Sequence, residues 1–117
     1  MGKLERAVLD VLWDSGSPCL VRDVVEALTG RDLAYTTVMT VLDRLEKKGV
    51  VRRERDGRAW RYEPVASQDS FVARQMLDAL DLAGDREAAL ARFAETVTGS
   101  EARALSTALS ERLAVSG

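Results

Sequence analysis

At Gly49 the chain changes period. Before it, in "AYTTVMTVLDRLEKKG" (34–49), Val38, Val41, Leu42 and Leu45 follow i, i+3, i+4, i+7, the single apolar stripe of a packed helix. After it, in "VVRRERDGRAWRYE" (50–63), the pattern is that of two strands around Asp56-Gly57, a strong hairpin signal. Gly49 suits a helix stop, and Lys47 and Lys48 before it complement the negative helix end. If Asp56 and Gly57 are the two turn residues, Arg55 faces Arg58, Arg53 faces Trp60 and Val51 faces Tyr62. Val51, Trp60 and Tyr62 then share the face that packs on the helices. Arg52 and Arg61 lie on the other face, and Arg55 and Arg58 crowd at the tip. Arginines so close repel one another, a cost that a bound anion would remove.

The flanking segments complete the layout. Leu4, Ala7, Val8, Val11 and Leu12 predict a helix over 3–14, ended by the turn residues "DSGSP". Val21, Val24, Val25 and Leu28 predict a second helix with a weakly marked start, which Gly30 terminates. Pro64 closes the hairpin. Ser67 can cap a helix over 68–82, "AGD" (83–85) breaks it, and Leu90, Phe93 and Val97 mark another over 86–97. Thr98-Gly99-Ser100-Glu101 has the spacing of a capping box and introduces a last helix. Three helices and a hairpin are the order of a winged helix-turn-helix. The expectation is a mainly α chain with a small β-hairpin wing: a winged helix-turn-helix over 1–65, then a three-helix C-terminal dimerisation region over 66–117.

In that fold the third helix enters the DNA major groove. Its apolar stripe faces the core, so Thr36, Thr40, Asp43 and Lys47 point away, with Tyr35, Thr37, Arg44 and Lys48 beside them. Threonine hydroxyls and methyls suit phosphates, base edges and thymine methyls, and Arg44, Lys47 and Lys48 suit phosphates. Arg52, Arg53, Arg55, Arg58 and Arg61 of the wing suit the DNA backbone or the adjacent minor groove. The net charge of -2 argues against nucleic acid only as a sum. Nine Lys/Arg stand against five Asp/Glu between Arg31 and Tyr62, whereas five stand against eight from Ala66 onward.

Other classes find little support. The chain has no histidine and a single cysteine, which removes His-based acid–base chemistry, intramolecular disulfides and most zinc or copper sites. No paired carboxylates, activated nucleophile or phosphate loop appears, so neither an enzyme nor a cofactor is expected. No apolar run approaches a membrane span, and "MGKLERAVLD" reads as an amphipathic start, consistent with a cytoplasmic protein with no direct membrane binding. Cys19, between Pro18 and Leu20-Val21, reads as a small buried residue and not as a redox sensor.

The segments "LERAVLDVLW", "VRDVVEAL" and "AYTTVMTVLDRLEKKGVVRRERDGRAWRYEPV", with the three-helix tail, resemble the BlaI/MecI/CopY family of bacterial repressors over nearly the whole chain. The resemblance implies a homodimeric repressor on an inverted-repeat operator. For the β-lactam-responsive branch it also implies inactivation by cleavage downstream of a membrane sensor metalloprotease. The family's cleaved bond aligns with Arg92-Phe93, where this chain has Arg in place of Asn. Met39 stands where relatives can carry Arg, and the tail lacks the cysteines of the copper-sensing branch. The dimer also has a physical basis, since a tail of this size has too little mass for a core of its own. Phe71, Met76, Leu77, Leu80, Leu90, Phe93, Leu105, Leu109 and Leu113 are the candidates for an isologous interface. Two readings compete: a winged helix answering a small molecule without proteolysis, which a tail poor in aromatics does little to support, and a protein-binding winged helix, for which the basic wing is unsuited.

Overall fold

A computed structural model describes residues 2–28 and 30–116. The described residues form α1 (Lys3–Ser15), β1 (Cys19–Leu20), α2 (Val21–Ala27), α3 (Tyr35–Lys47), β2 (Val51–Asp56), β3 (Ala59–Pro64), α4 (Gln68–Leu80), α5 (Arg86–Thr96) and α6 (Gly99–Ser116). The chain divides into two compact units, Met1–Val72 and Ala73–Gly117.

The first unit owns the core. Val8, Leu9 and Leu12 of α1, Val24 of α2 and Val38, Val41, Leu42 and Leu45 of α3 close on one another, and Val51 and Tyr62 of the sheet cover them. The stripe of α3 is the one that the periodicity predicts. In α1 Val8 and Leu12 are buried as expected, but Leu9, outside the expected stripe, is fully buried, and Leu4, Ala7 and Val11 are only partly so. Trp13 fastens the start of α4 to α1: its indole N–H donates to the Ala66 carbonyl at 3.1 Å, and its ring meets Phe71 at 5.4 Å between centroids. Cys19 is buried, its thiol 3.5 Å from the Ser17 carbonyl. It belongs to a two-residue strand too short to announce itself by alternation.

The sheet is antiparallel in the order β1-β3-β2. Its register corrects the expected one. Asp56 pairs with Ala59, Arg55 with Trp60, Arg53 with Tyr62 and Val51 with Pro64, so the two turn residues are Gly57 and Arg58. Backbone conformation explains the shift. A turn with Asp56 and Gly57 in the middle needs positive φ at both, whereas Gly57 has φ 64° and no non-glycine described residue has positive φ. Glycine first, with an ordinary residue second, is the type II′ pattern. Because the register moves by two residues, every side chain keeps its expected face.

The helix ends are set by side chains that the sequence exposes. Asp23 Oδ2 accepts from the Leu20 amide at 2.8 Å and marks the start of α2. The Ser67 hydroxyl accepts from the Ser70 amide at 3.2 Å, and Asp85 Oδ1 from the Ala88 amide at 3.1 Å. At α6 both arms of the capping box form: Thr98 Oγ1 accepts from the Glu101 amide at 3.1 Å, and Glu101 Oε1 from the Thr98 amide at 2.8 Å. Within the second unit none of the described residues is buried.

Candidate nucleic-acid interface

α3 presents three different edges. Its outermost face carries Thr36, Thr40 and Lys47, all exposed. The Thr40 hydroxyl donates to the Thr36 carbonyl at 2.9 Å, which leaves its oxygen lone pairs and its methyl for the exterior. The helix starts at Ala34, which has no side-chain cap, so the positive helix end is uncapped. Tyr35 and Thr37 are exposed in its first turn.

One flank of α3 turns toward α1. Glu5, only 8% exposed, accepts from Lys48 Nζ at 2.9 Å and lies 3.7 Å from Arg44 Nη1. The Lys48 hydrogen bond holds the Glu5 carboxyl below its ordinary value; burial opposes this, and the charges of Lys48 and Arg44 reinforce it. Two of the cations expected at the interface thus also anchor α3 to α1. They are separated from Glu5 by some forty positions, and no local pattern signals the contact.

The other flank turns toward the wing. Asp43 receives Lys47 at 3.1 Å and lies 4.0 Å from Arg53 Nη1, linking α3 to β2. Arg53 and Arg55 both lie over the Trp60 ring, at 4.4 and 4.9 Å from its centroid. On the opposite face Arg52 meets Glu63 at 2.7 Å and Arg61 meets Asp56 at 2.6 Å. The expected crowd of mutually repelling arginines is therefore corrected. Two are neutralised by carboxylates within the hairpin, and Arg53 and Arg55 lie on an aromatic ring; Arg55 and Arg58 have no ion pair among the described residues, and Arg58, in the turn, lacks the ring contact as well. The neutralising partners, Glu63 and Asp56, are visible in the sequence, but their reach depends on the corrected register.

The candidates in the tail lie on α4, α5 and α6. Met76, Leu77, Leu90, Phe93, Leu105, Leu109 and Leu113 are exposed large apolar residues, and Leu80 is half-buried. Phe71 differs, since its ring packs on Trp13 within the first unit. An open apolar groove of about 330 Å³ runs between α5 and α6, with Val97, Leu105, Leu109 and Leu113 in its walls. Arg92 and Phe93 sit inside α5, both exposed, with the Phe93 carbonyl bonded to the Val97 amide at 3.2 Å. Among the described residues no cluster of three or more His, Cys, Asp or Glu could hold a metal, and no helix is long and apolar enough to cross a membrane.

A three-helix core capped by a small antiparallel wing, with α3 exposed beside it, is a winged helix-turn-helix, a fold of transcriptional regulators. The penicillinase repressor model matches residues 1–111, and the chain belongs to that family. The transcriptional regulator BlaI of Mycobacterium tuberculosis is 56% identical over 115 residues, spanning 95% of this chain and 83% of the relative. Among solved structures, a MarR family protein from Bacillus stearothermophilus has a TM-score of 0.52 at 20% identity, covering 95% of this chain and 71% of its own. BpsR from Bordetella bronchiseptica, whose DNA binding is regulated by 6-hydroxynicotinic acid, has a TM-score of 0.54 at 20% identity, covering 96% and 79%. These two likenesses concern the fold alone. The chain is a BlaI-like transcriptional repressor, not an enzyme.

Proposed function

We propose that the chain represses as a homodimer on an inverted-repeat operator, each copy laying α3 in the major groove and its wing on the flanking backbone. The observation that carries this reading is the joined surface of α3 and wing. Thr36 and Thr40 face outward from a helix whose start is uncapped, and Asp43–Arg53 ties that helix to a wing bearing Arg55 and Arg58. Thr36, Thr37 and Thr40 then meet base edges, with Tyr35 at the helix start. Lys47, the wing arginines and the exposed edges of Arg44 and Lys48 neutralise phosphates. The dimer is supported by the tail. It exposes nine large apolar side chains on α4, α5 and α6, and a second copy is the simplest cover for them.

Induction by cleavage at Arg92-Phe93, downstream of a membrane sensor metalloprotease, is the further part of this reading and follows from the family resemblance. Proteases take extended substrates, so α5 must open locally before its bond is cut. The cut would separate Leu105, Leu109 and Leu113 from the winged unit and so remove the dimer. Incubation with the sensor protease, followed by mass spectrometry, tests it: fragments ending at Arg92 and beginning at Phe93 are expected. An intact chain under conditions that induce the target genes overturns it.

The repressor reading is tested by fluorescence anisotropy on DNA from upstream of the chain's own gene, beside a scrambled duplex, with light scattering on the same sample. A dimer that prefers its own promoter by about 10³-fold or more, with steep salt dependence, is the expected result. A particle near the 12.8 kDa of one chain at micromolar concentration overturns the dimer. Equal binding to both duplexes overturns the sequence-specific operator.

A further inference from the structure

We propose that Met39 is a base-reading residue that takes the C5-methyl of a thymine in the major groove. The inference rests on the DNA-binding reading and adds a determinant to it. Met39 is 42% exposed on α3, one turn after Tyr35, which is 52% exposed. The two side chains border one cleft of about 450 Å³ formed with the start of α2 and β3. Its cations are Arg22 and Arg58, and the rest of its lining is apolar or aromatic, with Leu20 and Val21 beside Tyr35, Met39, Trp60 and Tyr62. Neither arginine has an ion-pair partner among the described residues, in contrast to Arg52 and Arg61 on the same wing.

An apolar lining with unpaired cations suits duplex DNA better than it suits a protein strand or a neutral small molecule. The arginines meet phosphates, and the lining meets the one apolar group that a base edge carries. Only thymine presents a methyl in the major groove; the other three bases present hydrogen-bonding groups alone. A thioether has no donor for guanine and no strong acceptor for cytosine or adenine, so Met39 selects by methyl contact and by refusal of polar edges. Its unbranched chain adapts to the exact position of the methyl. Thr36, three residues earlier on the outer face, leaves room for a polar contact to a neighbouring base.

The test begins with duplexes selected from a randomised pool by the full chain. Each thymine of the selected half-site is then replaced in turn by deoxyuridine, which removes only the methyl. The native chain should lose about three- to fivefold in affinity at one thymine of each half-site, the effect of one buried methyl. Met39→Ala should bind the thymine duplex more weakly by a similar factor and be indifferent to deoxyuridine at that position. Met39→Leu, which keeps an apolar chain, should retain the sensitivity. Indifference of the native chain to every deoxyuridine overturns the inference. So does an Ala variant that still senses the methyl, which would assign it to another residue and the cleft to another occupant. If the native chain binds no duplex even at low salt, the DNA-binding reading itself fails, and this inference with it, before any thymine is altered.

Discussion

The two units of this chain solve the same problem in opposite ways. Both are built of helices that carry apolar stripes. In the first unit three helices, the sheet and the residue that follows α2 bury thirteen apolar residues against one another. In the second, among the described residues, α5, α6 and the end of α4 bury none and leave Leu90, Phe93, Leu105 and Leu109 at the surface. An apolar stripe therefore says that a helix needs a partner, but not whose. In the winged unit the partner is the chain itself. In the tail we read it as a second copy. If so, the stability of one unit is intrinsic and that of the other depends on concentration.

That contrast can be broken most directly in the tail. Leu109→Glu places a charge in the apolar groove between α5 and α6. It should convert the dimer to a monomer and lower operator affinity by about 10²-fold or more, because two half-sites are then bound independently. Light scattering and anisotropy read both effects, and an intact dimer would refute the assignment of that face. Leu42→Ala probes the other unit. Leu42 is fully buried in α3, so its truncation should cost about 2–5 kcal/mol in denaturant unfolding. The loss should be the same at every protein concentration, whereas the milder Leu109→Ala should destabilise only in dilute solution. Equal concentration dependence in the two variants would erase the distinction between the units.

How much of this was legible in the sequence follows from the range of each interaction. The α3 stripe, the caps at Ser67 and Thr98 and the change of period at Gly49 are local, and each stands where its residues imply. The hairpin was legible as a hairpin, but its register was not, because Asp-Gly fits either side of a turn until φ is known. β1 was missed since two residues carry no period. Phe71 reads as one more apolar residue of a tail helix and packs instead on Trp13, more than fifty positions away. At the candidate interface, the outward threonines were legible from helix geometry. The pairing of Arg52 with Glu63 and of Arg61 with Asp56 followed only from the true register, and it leaves Arg58, in the turn, with neither an ion pair nor an aromatic contact among the described residues.

Arg58 and its neighbours sharpen the comparison within the wing. Arg58→Ala should weaken every duplex alike, by roughly fivefold near 0.1 M salt, and reduce the salt slope by about one. Arg52→Ala should do less, because its charge is already compensated by Glu63. Salt titrations of both variants would show this, and equal slopes would mean that the ion pairs within the hairpin dissolve on binding.

The smallest effect concerns the seam between α1 and α3. Glu5 is buried, and its folded carboxyl is held below the ordinary value near 4.5, first by the Lys48 hydrogen bond. A depressed acid stabilises the fold above its unfolded pKa and loses that contribution as the pH falls through the folded one. Glu5→Gln should therefore cost about 1 kcal/mol near neutrality, at the upper end for a pair whose cations are partly exposed. The difference from the native chain should be flat from pH 6 to 8 and close only below about 4.5, within the window set by the lowered pKa. Urea midpoints at several pH values measure it. Because Lys48 and Arg44 end the recognition helix, the same variant frees both cations, and its affinity for all DNA should rise slightly or hold. A marked fall in DNA affinity with stability unchanged would mean that Glu5 sets the angle of α3, so that the seam which anchors the helix also aims it.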